Sequence, residues 1–226
     1  MPRRTSAVLA LAGLLAASSA SAEPPSTVEG QLAAGAAAEQ GTDWESAPAN
    51  RRSGFTFGLA GGIAWGSARG YPNSFTKIGD PAYYTATSGF GSGGELWFGG
   101  ALTDWFVFGL GLGGGSFSGS KLKSGGGSFV FHIAAFPLFH LGGTWQDVGL
   151  FADFGTGGAT IMEGGEELSN GGGMSAAGFG VFWETWRFLG DHVASGPMVA
   201  FEYLGSDVQS RDLVLVGFRT VFYGGP

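Results

Sequence analysis

Side chains in one stretch of this chain alternate in size with a period of two. Phe55, Phe57, Leu59, Ile63 and Trp65 fall on one face, and Thr56, Gly58, Ala60, Gly62 and Ala64 on the other. A period of two belongs to a β-strand, because successive side chains point to opposite faces. The same arrangement returns from Trp105 to Leu112, where Phe106, Phe108, Leu110 and Leu112 oppose Val107, Gly109 and Gly111. A soluble sandwich would turn its largest apolar residues inward and polar residues outward. Here the face opposite the bulk is glycine and alanine, which suits a narrow interior with bulky apolar residues outside it.

Eight such segments can be counted, roughly 54–65, 90–102, 105–117, 128–141, 148–161, 174–188, 193–204 and 212–223. Most run 12 to 15 residues. Globular strands are usually about 5 or 6 residues long, whereas about 9 to 11 tilted residues cross a hydrocarbon core. From Glu23 onward no segment reads as a spanning helix. An open sheet edge in lipid would leave backbone N–H and C=O groups unpaired at several kcal/mol each, so the strands must close into a barrel. The expected fold is all-β: an eight-stranded antiparallel up-and-down transmembrane β-barrel, preceded by a cleaved signal peptide and a disordered tether.

Composition narrows the alternatives. Glycine supplies 45 of 226 residues, cysteine is absent and only 13 % of residues are charged. No disulfide scaffold or thiolate metal site can form. A hydrophobic content of 44 % is too high for general disorder. The net charge of −7 argues against nucleic acid, whose phosphates need a basic patch.

The first 22 residues read as a secretory signal peptide: Arg3 and Arg4, an apolar run from Ala7 to Ala17, and an Ala20-Ser21-Ala22 cleavage site before Glu23. Its removal leaves 9 basic against 18 acidic residues. Residues 23–52 carry one aromatic, Trp44, and no strand period, and read as a disordered periplasmic tether. Residues 53–226 form the barrel domain.

The links between segments alternate in length. Short ones fall at Thr103-Asp104, 142–147 and 189–192; longer polar or glycine-rich ones run 66–89, 118–127, 162–173 and 205–211. Short turns at one end and long loops at the other match an outer-membrane barrel, with both termini at the short-turn end. Trp97, Trp105, Trp145, Trp183 and Trp186 lie near the short links and are expected to form an aromatic girdle at the inner membrane–water interface.

Signal peptide, eight amphipathic strands and alternating connections together resemble the small OmpA/OmpX-type outer-membrane β-barrel superfamily, over about residues 53–223. The resemblance is one of architecture, without a short diagnostic motif. It implies a Gram-negative outer-membrane location, escort by periplasmic chaperones and insertion by the outer-membrane assembly machinery. Such barrels usually end on an aromatic residue; Phe222 and Tyr223 approximate this, and Gly224-Gly225-Pro226 departs from it. Functions in the superfamily range over structural anchoring, surface adhesion, solute passage and lipid modification.

Five charged residues fall opposite the bulky faces: Glu95, Asp153, Glu184, Glu202 and Arg219. They are expected to form an interior ion-pair network around Arg219, with a polar lumen or proton-linked gate as the alternative. One guanidinium cannot neutralise four carboxylates, so the interior must hold water or raise some pKa values. His132 and His140, read as one face of one strand, would lie roughly 26 Å apart and could not share a metal ion. No serine stands two residues from either histidine, so no lipid-deacylating pair is read, although Ser128 or Ser175 on another strand could supply a nucleophile. The glycine runs at 113–115, 125–127 and 171–173 lack the following helix of a phosphate loop and read as loop flexibility. Glu163, Glu166 and Glu167 form an acidic loop cluster without calcium-ligand spacing. Pro137 and Pro197 fall inside expected strands and mark bulges or misplaced boundaries.

The sequence thus favours a monomeric, non-enzymatic outer-membrane barrel in contact with outer-membrane lipid. It would carry no cofactor, metal or catalytic residue, and its role would be envelope structure or surface interaction. The alternatives are a narrow passage for small solutes, a lipid-modifying membrane enzyme and a soluble lipocalin-like barrel.

Overall fold

The computed structural model describes residues 51–72 and 85–225. The signal peptide and all of the tether before Arg51 lie outside the described residues, as does the middle of the 66–89 link. Among the described residues there are ten strands: β1 (Ser53–Gly70), β2 (Thr85–Thr103), β3 (Phe106–Ser118), β4 (Leu122–Ala135), β5 (Val148–Glu163), β6 (Glu166–Asn170), β7 (Met174–Trp183), β8 (Trp186–Phe188), β9 (Val193–Gly205) and β10 (Gln209–Gly225). Each long strand pairs antiparallel with the next, and β10 pairs with both β9 and β1. The sheet therefore closes as an eight-stranded up-and-down barrel. β6 extends the β5 hairpin, and β8 continues the line of β7 along β9. Closure gives every wall strand a partner on both sides, which is the condition for a sheet to survive in hydrocarbon.

The period of two places the side chains as the sequence implies. Ile63, Phe90, Phe179 and Phe218 are 72, 77, 62 and 56 % exposed on the outer wall, whereas Thr56, Ala64, Val107, Ala134 and Val221 are buried inside. Phe218, on the last strand, points outward with the rest of this face. No helix among the described residues is long and apolar enough to cross a membrane.

Strand limits differ from the sequence reading in an instructive way. β1, β2 and β10 run 18, 19 and 17 residues. The expected long links at 118–127 and 205–211 shrink to 119–121 and 206–208, and the 162–173 link is mostly the β5–β6 hairpin. The glycines that read as loops continue the ladders. Gly217, Gly62, Gly93, Gly115 and Gly126 are paired in register across five consecutive strands. A Cβ at Gly62 would lie 2.3 Å from the carbonyl oxygen of Val216, and one at Gly217 would lie 2.1 Å from that of Gly61. The runs at 113–115 and 125–127 are thus wall positions; at Gly114, Gly115 and Gly126 an added Cβ would crowd the backbone of a neighbouring strand, whereas Gly125 faces open space. The run at 171–173 does fall in a connection.

Conversely, the fourth strand ends at Ala135, not 141. Pro137 follows it, in a connection with short 3-10 turns at Phe139–Leu141 and Gly143–Asp147. This link is longer than expected, so connection length does not alternate around the barrel. His140 leaves the strand and no longer shares a face with His132. The expected single strand 174–188 breaks at Glu184 and Thr185. Pro197 sits opposite that break: the β7 ladder ends at Met198 and the β8 ladder begins at Ser195. Its missing donor therefore removes no bond from either.

Candidate functional site

The lumen holds the buried polar chemistry of this chain, in three groups stacked along the barrel. The first closes the end of the barrel where β1 begins and β10 ends. Arg52, assigned by sequence to the tether, is fully buried there. Its Nη2 donates to Glu184 Oε2 at 2.8 Å and to Asp147 Oδ1 at 2.8 Å, its Nε to Glu184 Oε2 at 3.1 Å and its Nη1 to the Asp104 carbonyl at 3.0 Å. Arg187 Nη2 donates to the same two carboxylates at 3.0 Å. The Tyr223 hydroxyl donates to Glu184 Oε1. The strand break at Glu184 has a local function: the residue's own N–H donates to the Asp147 carbonyl at 3.0 Å. Its side chain therefore turns into the cluster. The Arg52 guanidinium also lies 3.5 Å from the Phe136 ring centroid. Arg52 precedes the first spanning strand; burial alone would lower its pKa, but Glu184 and Asp147 outweigh that and hold it above its ordinary value.

The second group sits midway. His132 on β4 is 1 % exposed and stacks on Trp97 at 4.7 Å between centroids. Its Nδ1 lies 2.7 Å from Asp153 Oδ1 and 3.3 Å from Glu95 Oε1. The Asp153 contact follows from register, since His132 and Asp153 are directly paired across β4 and β5. Glu95 reaches over β3 because the position between is Gly111, whose Cβ would fall 2.5 Å from Glu95 Oε1. Arg219 is buried beside them, its Cζ 4.3 Å from the Trp97 ring and 3.8 Å from the Phe182 ring. Among the described residues its Nε, Nη1 and Nη2 have no hydrogen-bond partner.

The third group lies toward the opposite end. Arg211 Nη1 donates to Glu202 Oε1 at 3.1 Å and its Nη2 to the Gly115 carbonyl at 2.8 Å.

The structure places Glu95, Asp153, Glu184, Glu202 and Arg219 in three separate groups along the lumen, not in one network around Arg219. Glu184 belongs to the terminal cluster, Glu202 to Arg211, and Glu95 and Asp153 to His132. Arg219 is held by aromatic faces instead, and Arg52, Arg187 and Arg211 supply the charge that a single guanidinium could not. Arg211 lies just outside the expected strand 212–223, whereas β10 begins three residues earlier, at Gln209; Arg211 shares the period of two with Arg219. Arg52 and Arg187 could not have been found by period, since they stand beyond a strand end and after a strand break.

The tryptophans divide. Trp105, Trp145, Trp183 and Trp186 are 48, 60, 41 and 47 % exposed. Trp97 is fully buried in the lumen and is not part of an outer girdle. The correction was legible, because the period that turns Glu95 inward turns Trp97 inward too. With Phe117, Phe136, Phe151, Phe182 and Tyr223 it supplies the bulk that the Gly and Ala face of β1 leaves room for.

No family model matches the chain, and no curated protein matches it. Solved structures similar to it include Ail, the attachment invasion locus protein of Yersinia pestis, at 12 % identity over 73 % of this chain and 98 % of that one, with a TM-score of 0.43. The outer membrane protein OprG from Pseudomonas aeruginosa is similar at 14 % identity over 76 % and 98 %, with a TM-score of 0.41. Neisserial surface protein A is similar at 14 % identity over 78 % and 100 %, with a TM-score of 0.44. The assignment rests on the chain's own geometry. The closed ladder of eight antiparallel strands, the apolar outer wall and an interior that mixes aromatic bulk with buried ion pairs are the features of a barrel that can sit in hydrocarbon. By those criteria the chain has the fold of an eight-stranded up-and-down β-barrel with an apolar outer wall, the architecture of the small outer-membrane barrels.

Proposed function

We propose that this protein is a non-enzymatic, non-conducting barrel that serves envelope structure or surface contact. The observation that carries this reading is the filled lumen. Fully buried Trp97, Tyr223, Phe117 and Arg52 block it at successive levels, and the terminal end is tied shut by the ion pairs of Glu184 and Asp147. Side chains can just fill an eight-stranded interior, and here they do. The narrow-passage reading loses its basis, since it relied on the small residues of β1 and β3 without the bulk contributed by the other strands. The non-enzymatic reading is supported by His132 Nε2, the nitrogen that would engage a nucleophile: it is buried and has no hydroxyl hydrogen-bonded to it among the described residues.

In this reading the start of β1 and the end of β10 face the periplasm, where an even strand number puts them together, and Trp105, Trp145, Trp183 and Trp186 anchor that rim in the interface. Outer-membrane lipid is the surrounding partner, periplasmic chaperones and the assembly machinery deliver the chain, and the barrel works as a monomer. Planar-bilayer recording of the purified barrel tests the proposal. A flat trace is expected up to high voltage, and reproducible single-channel steps would overturn it.

A further inference from the structure

We infer that Glu95, His132 and Asp153 form a binding site for one divalent transition-metal ion inside the barrel. The sequence weighs only His132 with His140, which are too far apart to share an ion, and so points to no metal site. The donors come instead from three strands, with one imidazole and two carboxylates, and their ligand atoms all lie within 4.8 Å of one another.

Three features of the site point to a cation. First, His132 Nδ1 faces two carboxylates, at 2.7 and 3.3 Å. A single N–H proton serves the nearer, and Glu95 Oε1 is left buried without a hydrogen-bond partner. An ion bound to nitrogen and oxygens at about 2.1 Å with tetrahedral angles needs donors about 3.4 Å apart, so small side-chain shifts let it engage all three. Second, the carboxylates have no arginine of their own: Arg211 is given to Glu202, and Arg219 donates to neither. Third, space is reserved. Gly111 makes room for the Glu95 carboxylate, and a Cβ at Gly178 would lie 3.2 Å from Asp153 Oδ2. A cavity of about 50 Å3 adjoins the cluster, lined by Glu95, Asp153, Glu202 and Ser128 among others. That is enough for the water that completes a fourth coordination position. Trp97 stacks on the imidazole and fixes the ring plane. Imidazole with carboxylates suits zinc, copper, nickel or iron rather than calcium or magnesium, which prefer all-oxygen sets.

The test uses the untagged chain refolded in detergent with Co2+, freed of excess metal, and analysed for metal content and visible absorption. One Co2+ per barrel with ligand-field bands near those of a four- or five-coordinate site is expected, displaced by Zn2+. Glu95→Gln and His132→Ala should each weaken binding at least tenfold, while the double variant His140→Ala/His192→Ala should bind as the parent does. Folding of each variant is read from its heat-modifiable mobility. Gly111→Ala keeps all three donors but pushes on the Glu95 carboxylate, so it should weaken binding with the fold retained; unchanged affinity there would overturn the site as drawn. Cu2+ loaded in place of Co2+ should show electron paramagnetic coupling to one nitrogen. Absence of stoichiometric metal in the parent, or metal retained by His132→Ala, would also overturn the inference.

Discussion

Arg52 and Glu184 stand 132 positions apart in the chain, yet meet as a buried ion pair of 2.8 Å that closes the terminal end of the barrel. The Arg52 side chain is completely buried and that of Glu184 nearly so. Such a pair is costly to break from one side, because the remaining charge is left without its partner. Arg52→Ala and Glu184→Gln are each expected to destabilise the folded barrel by about 3 kcal/mol, and the double variant by clearly less than the sum. Urea unfolding in phospholipid vesicles, followed by tryptophan fluorescence, measures all three.

Arg219 works through rings rather than ion pairs. Its guanidinium lies 3.8 Å from Phe182 and 4.3 Å from Trp97. A desolvated cation–π contact contributes about 2 kcal/mol, and truncation adds a packing loss. Arg219→Ala should therefore lower the thermal midpoint of the heat-modifiable folded form, and Arg219→Lys, which keeps the charge but loses the planar stack, should fall between. An unchanged midpoint in the alanine variant removes Arg219 from this role.

Gly58 is paired with Trp97 across β1 and β2. A Cβ there would fall 1.9 Å from the indole ring, which is fully enclosed and cannot swing away. Gly58→Ala is expected to cost about 1 to 3 kcal/mol by overpacking. Trp97→Phe in the same chain should recover part of it. Gly125→Ala, with open space around the added atom, is the control and should be close to neutral.

The outer wall carries the membrane claim. Phe218 is 56 % exposed near the middle of β10. Arginine on the lipid face at mid-depth costs about 2 to 4 kcal/mol in a barrel. Phe218→Arg should be destabilised by that amount in vesicles. In a soluble barrel the same change would be neutral or would improve solubility, so a stability equal to the parent's speaks against hydrocarbon outside.

Much of this molecule was legible along the chain. A period of two is a local property of the strand backbone, so it assigned the outer Phe and Leu residues and turned Glu95, Asp153, Glu202 and Arg219 inward before any pairing was known. The same phase turns Trp97 inward, although it stands near a short turn where an aromatic girdle is expected. What tertiary structure alone decided is which inward residues meet. Register sets His132 opposite Asp153 and Gly62 between Gly93 and Gly217, and it depends on ladders between segments far apart in sequence. Glycine runs are ambiguous by themselves, because the lack of a side chain serves a turn and a close backbone crossing equally well. Arg52 and Arg187 lie off the regular strand period, so only the closed barrel could bring their charges to Glu184 and Asp147.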